Sequence, residues 1–161
     1  SSLVNAFHAA KKEDIKPYID KVKSGPLISK EPKSGKIVKE TSLPKLGITE
    51  WTLSNGVKVY LKKTDFKNDQ VLINGAGFGG DSRFGNKDIP SIKMLNGVIG
   101  VSGAGDFTDT ELQKVLAGKQ VNANSFITLS RQGISASSTP KDLKTAFQLI
   151  YLNLTNIKRD D

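Results

Sequence analysis

The chain has 161 residues, 37% of them hydrophobic and 25% charged, which is one domain's worth of sequence with a polar balance that leaves part of the chain outside any core. It contains no cysteine, so disulfides, thiolate chemistry and cysteine-ligated zinc are excluded, and no run approaches the ~18 apolar residues of a membrane span. The formal net charge of +8 comes from 21 lysines and only three arginines, Arg83, Arg131 and Arg159. Nucleic-acid surfaces favour arginine for its planar fork, so this charge reads as a solubilising surface and no nucleic-acid partner is expected.

The first 47 residues hold ten lysines against five acids and read as an arm. The chain opens on Ser1 rather than Met, as expected of an excised or processed piece, and lacks the charged-then-apolar pattern of a signal peptide. Leu3, Phe7, Ile15, Tyr18, Ile19 and Val22 recur at loosely helical spacing, with Pro17 preventing one long helix, so two short helices are expected before Lys23. From Ser24 to Gly47 the breakers Gly25-Pro26, Glu31-Pro32 and Leu43-Pro44 alternate with lysines, and this stretch is predicted to be a linker. The expected division is therefore a helical segment and lysine-rich connector at 1–47 and a folded unit at 48–161.

That unit opens with two alternating runs, Trp51 to Leu61, joined at Asn55-Gly56, a pair that tolerates the positive φ of a type I′ hairpin turn. A strand from Gln70 to Asn74 runs into the glycines 75–80. Asp88-Ile89-Pro90 then begins a helix reaching about Val101, apolar nearly all round and so expected to be buried. Thr108 and Glu111 form a capping box, with Phe107 and Leu112 placed as a hydrophobic staple, and Gly118 ends that helix. Alternation over 119–138 predicts two antiparallel strands turning at 130–132, and Thr139-Pro140 leads into a final helix with Leu143, Phe147, Ile150, Leu154 and Ile157 on one stripe. The fold class expected is α+β, an antiparallel sheet with helices packed on one face in two layers.

The chemistry sought in this sequence is mostly missing. A hydrolytic zinc site takes two or more histidines, commonly four apart on one helical face, with a glutamate nearby. Only His8 is present, in the lysine-rich arm, and it reads as a solvated surface residue. Asp65 with Asp69, or Asp106 with Asp109 and Glu111, flank turns and helix starts where acids are expected anyway. Gly75, Gly77 and Gly80 satisfy G-x-G-x-x-G after a strand, yet a polar loop follows in place of a helix, and no acid lies about 20 residues on to take a ribose hydroxyl. Gly80 to Lys87 misses a phosphate-binding loop because Asn86 stands where lysine is needed and no Ser or Thr follows Lys87. These glycines read instead as close backbone contact or a bulge before a mobile loop. No catalytic, cofactor-binding or metal-binding residue is assigned to this chain.

The run from Thr49 to Ile73, with its Leu53-Ser54-Asn55-Gly56 hairpin, resembles the opening of a repeat in the pitrilysin/insulinase family of zinc metallopeptidases, particularly its PqqL-like bacterial branch. Ser102 to Phe107, Leu112 to Lys119 and Ser138 to Tyr151 are similar to the same branch, and the likeness spans about 46–161. The resemblance implies repeated α+β units, one of which carries an H-x-x-E-H zinc helix; here the corresponding helix reads Pro90 to Gly100 and offers none of those ligands. It further implies a degenerate, non-catalytic repeat with its preceding connector, walling a peptide-enclosing chamber. Zinc would then be held by the parent protein's other half, and the partners would be the remaining domains and a peptide substrate. A bacterial periplasm or cell envelope is the compartment the resemblance suggests. The alternatives are a stand-alone module binding extended peptides on a sheet edge, and a lysine-driven nucleic-acid binder.

Overall fold

The computed structural model describes residues 2–13, 23 and 25–158. An exposed helix α1 (Ser2–Lys12) comes first; the second helix expected before Lys23 falls outside the described residues. Three strands then form one antiparallel sheet, β1 (Ile37–Leu43), β2 (Ile48–Leu53) and β3 (Lys58–Lys62). The β2–β3 turn differs from the type I′ expectation. Among the described residues no non-glycine has positive φ, and within this turn Gly56 alone, at 85°, takes the left-handed conformation. Gly56 donates to the Leu53 carbonyl at 2.9 Å and Leu53 to the Val57 carbonyl at 2.8 Å, which closes a three-residue loop over Ser54, Asn55 and Gly56. Within the sheet the Trp51 indole donates to Glu40 across the strands at 2.6 Å, and Lys58 pairs with Glu50 at 3.1 Å, which raises the Lys58 pKa.

The linker expected over 24–47 is contradicted at two places. Ile37 to Leu43 is the strand β1, joined to β2 through a single 3-10 turn, Pro44–Leu46, that ends on Gly47 at φ 63°. Closer to the arm, Leu27 is buried in the hydrophobic cluster with Ala104, Phe107, Leu149 and Leu152. The segment is tied down further by Glu31 to Lys144 at 3.0 Å and by Lys23, whose ammonium donates to the Asp106 carbonyl at 2.7 Å and lies over the Phe107 ring.

A second antiparallel sheet has the order β4 (Val71–Phe78), β7 (Arg131–Ser138), β6 (Val121–Ile127). Val121, Ala123, Ile134 and Ala136 share one face; the last helix, α4 (Leu143–Thr155), packs against β6 and β7, and Leu112 and Val115 of the capped helix α3 (Asp109–Val115) join Val121 and Ala123 around the hydrophobic cluster. Leu72, Asn74, Asn122, Asn124 and Ser135 face the other way and are exposed. The architecture is α+β with antiparallel sheets, but the strands divide between two three-stranded sheets and a short pair, β5 (Gly103–Ala104) with β8 (Ile157–Lys158).

The capping box forms as expected: Glu111 N–H donates to the Thr108 hydroxyl and Thr108 N–H to the Glu111 carboxylate, while buried Phe107 joins Leu112 in the core. The turn between β6 and β7 lies earlier than expected, with Thr128 N–H bonded to the Arg131 carbonyl at 2.8 Å. On α4 the buried line is Thr145, Ala146, Leu149 and Leu152, leaving the expected stripe residues Phe147 and Leu154 at 54% and 61% exposed. The largest departure is the apolar helix α2 (Ile89–Val101): only Ile92 is buried, and Met94, Val98 and Val101 are 69%, 51% and 70% exposed.

Where the glycines run out of β4, the chain turns tightly. Gly80 has φ 70°, and a Cβ there would collide with the Thr128 carbonyl oxygen, so only glycine fits. Asp81 and Ser82 N–H groups then bond the Thr128 and Leu129 carbonyls at 2.9 Å each, and two 3-10 turns, Gly80–Arg83 and Asn86–Asp88, lead into α2. The close backbone contact read from the sequence is present.

Candidate functional site: the cleft between α2 and the edge of β6

Antiparallel ladders make every second residue of an outer strand turn its backbone groups outward. Thr128 N–H bonds Arg131 across β6 and β7, so Val121, Ala123, Ser125 and Ile127 are the outward residues of β6. Two asparagines reach them. Asn96, in the middle of α2, accepts from Ile127 N–H at 3.0 Å and donates to Ile127 C=O at 2.9 Å, the same two bonds that a neighbouring strand residue would make. Asn153 of α4 donates to the Ala123 carbonyl at 3.0 Å, and its own carbonyl accepts a long bond from the Ser125 hydroxyl at 3.5 Å.

Between α2, α3 and this edge lies a cleft of about 300 Å³ whose lining includes Ile99, Leu112, Leu149, Asn122 and Gln113. Its polar lining is chiefly amides and hydroxyls. Among the described residues the one carboxylate on it, Asp109, accepts from the Gln113 amide at 2.7 Å. Neighbouring Glu111 is spent on the α3 cap: the Thr108 N–H bond holds its carboxyl below the usual range. Asp142, at the start of α4, is likewise lowered, chiefly by the N–H of Gln120 at 3.0 Å and then by the Thr139 hydroxyl.

The remaining residues weighed from the sequence do not converge on this cleft. His8 sits exposed on α1 edge-on to Phe7, with ring centroids 6.0 Å apart. Asp65 and Asp69 are exposed in the β3–β4 connection, and the main-chain carbonyl of Asp106 accepts from Lys23 and, at 3.1 Å, from Lys158. Gly75 and Gly77 lie within β4, and no α-helix opens at Gly80. Among the described residues no group of three or more His, Cys, Asp or Glu side chains is placed to share a metal ion. Zinc needs imidazole, thiolate or carboxylate donors. From Ile89 to Val101, α2 supplies none, and its central amide is committed to Ile127, so zinc does not fit this helix.

Sequence reasoning missed Asn96, Asn153 and Leu27. A polar amide in the middle of an apolar helix is the signal that could have found Asn96, because asparagine is a poor helix former and gains most from a tertiary partner. Leu27 stands between breakers without periodicity and gives no such signal.

No protein-family model matches the chain. A zinc protease PQQL-like protein of Arabidopsis thaliana is 32% identical over 157 residues, covering 97% of this chain and 14% of the relative. The Escherichia coli protein described as a probable zinc protease, PqqL, is 26% identical over 114 residues, 71% of this chain and 12% of that protein. The crystal structure of the periplasmic protease PqqL from Escherichia coli superposes with a TM-score of 0.78 at 21% identity, over 99% of this chain and 18% of that one, which shows the shared fold. Over nearly its whole length the chain is similar to a PQQL-like zinc protease, and it corresponds to a segment spanning 14% of the length of that plant relative.

Proposed function

We propose that this chain is a non-catalytic part of a longer zinc metallopeptidase, where it walls the chamber that encloses the peptide while another part of the polypeptide holds the zinc. The observation that carries the reading is α2. At the position where the family resemblance calls for the zinc helix, it has Asn96 bonded to Ile127 and presents Met94, Val98 and Val101 to water. A run of apolar side chains on one helix is a surface built to be covered. In a segment that matches 14% of a relative's length, the remaining polypeptide is the cover at hand.

The reading is tested in the longer polypeptide with Met94→Glu and Val98→Glu. Proteolysis falls by about tenfold or more, the equivalent of roughly 1.4 kcal/mol of lost contact, while zinc content stays unchanged. Full activity in the doubly substituted protein would sink it. The second reading, a stand-alone module that adds an extended peptide to a sheet edge, has the open outer edge of β4 in its favour and the short span of the match against it.

A further inference from the structure

Asparagine followed by glycine occurs three times, at Asn55-Gly56, Asn74-Gly75 and Asn96-Gly97. The pair is chemically labile, because the main-chain nitrogen after an asparagine can attack the side-chain amide carbon, and a glycine carries no side chain to obstruct the approach. The dipeptide is the same each time and all three asparagines are exposed, so their surroundings decide which one can react.

Two of the three are held away from the reaction. Gly79 N–H bonds the Ser130 carbonyl at 3.0 Å, and the unbroken register puts Gly75, an even number of residues back, with its N–H turned into the ladder opposite Ile134. The Asn74 side chain is engaged as well, its Oδ1 accepting from the Ser135 hydroxyl at 3.2 Å. Asn96 lies mid-helix, where the Gly97 N–H belongs to the hydrogen-bond series of α2, and both ends of its amide are bonded to Ile127. Freeing either glycine nitrogen means opening β4 from β7 or unwinding α2.

Asn55 is placed otherwise. It stands in the three-residue loop between β2 and β3, where a Cβ added at Gly56 would meet nothing within 4 Å. Its Oδ1 accepts from the Val57 N–H at 3.2 Å, which folds the side chain back over the Gly56 peptide and polarises the amide carbon toward attack. The attacking nitrogen is engaged by the bond from Gly56 to the Leu53 carbonyl at 2.9 Å. That bond closes the tip of a hairpin in a three-stranded sheet, at the margin of independent stability, and opening it disturbs no other element.

We propose that Asn55 is a deamidation site, converted in the folded protein while Asn74 and Asn96 stay intact. The Gly56 nitrogen gives up its proton and bonds Asn55 Cγ. The Cγ–Nδ2 bond breaks and ammonia leaves with that proton, closing a five-membered succinimide without oxidation or reduction. Water then adds to one of the two imide carbonyls. Opening at Cγ restores the ordinary main chain with aspartate at position 55, whose carboxylate can still accept from Val57. Opening at the main-chain carbonyl carbon routes the backbone through Cβ and Cγ instead, which lengthens a three-residue loop by one methylene and breaks its closure onto Leu53. The site is independent of the chamber-wall role.

The test is incubation of the intact longer polypeptide in native buffer at mildly alkaline pH, with peptide mapping by mass spectrometry to follow amide-to-acid conversion at each of the three sites. Asn55 converts at least roughly tenfold faster than Asn74 or Asn96, because its glycine nitrogen is released by opening one loop rather than a strand pair or a helix. In concentrated urea, where the three dipeptides share one environment, their rates converge to within about threefold. Asn55→Gln removes the fast native conversion. Native conversion at Asn55 as slow as at the other two, or conversion first at Asn74 or Asn96, would overturn the proposal. An excess at Asn55 that persists undiminished in urea would overturn it too, since neighbouring sequence and not the fold would then be choosing the site.

Discussion

The region around α4 and the region around α2 are both rich in apolar side chains, and only the first buries them. Leu149 and Leu152 of α4 are each 4% exposed, closed between Leu27, Phe107 and the β6 face, whereas Met94 and Val101 of α2 are 69% and 70% exposed. What separates them is cover. α4 crosses the sheet over Val121 and Ala123, while α2 meets it at β6, through the Asn96 bonds to Ile127, and has Ile92 as its one buried residue. Hydrophobicity of a helix therefore states that it will be covered, and not by which part of the chain. The sheet β1–β2–β3 stands with α2: a three-stranded sheet whose Val38 and Tyr60 are 62% and 56% exposed sits at the lower limit of independent stability.

The difference can be broken most directly at Leu149. Leu149→Ala in the chain should cost about 2–5 kcal/mol in urea unfolding, against about 0.5 kcal/mol or less for Val98→Ala. Equal costs would mean that α2 is buried after all. Next is Gly80→Ala, which forces a left-handed backbone and a collision with the Thr128 carbonyl and should cost about 1–3 kcal/mol by the same measurement. Trp51→Phe removes the indole bond to Glu40 on the exposed sheet and should cost about 1 kcal/mol or less, read as local exchange in β1 and β2 with α4 unaffected.

The smallest effect is with acid. Folded Glu111 and Asp142 have pKa values below their unfolded values of about 4.3 and 3.9, so their contribution is complete above about pH 5 and is lost as pH falls below about 4, through the folded values. The measurement is a pH series of unfolding midpoints. Glu111→Gln and Asp142→Asn should each flatten its acid limb, and a limb unchanged in both would remove these caps from the picture.

Local chemistry was legible in the sequence wherever it decides structure by itself. Thr108 with Glu111 and Phe107 announced a helix start, Asn55-Gly56 a hairpin, and the alternation through Val121 to Ser138 a strand pair, because each signal spans a few adjacent residues. The hairpin's turn type was not legible, since Asn55 can sit in either half of φ space and the choice fell to Gly56 alone. β1 was missed because Ile37 to Leu43 has no clean alternation and becomes a strand by pairing with β2. The stripe on α4 fell beside its true buried line, which runs through Ala146 and Thr145, small residues that let the helix approach the sheet and that hydrophobic periodicity underweights. At the candidate site, the absence of a zinc ligand set on α2 could be read residue by residue, but the Asn96 bonds to Ile127, 31 positions away, depend on how the helix crosses the sheet.

The most direct measurement of whether α2 is a seam with the rest of a longer protease is thiol labelling at Val98→Cys, with the modified site located by peptide mapping. Fast labelling in the 161-residue chain and labelling at least roughly tenfold slower in the longer polypeptide is the expected result. Equal rates in the two would leave α2 facing water in the complete molecule and contradict it.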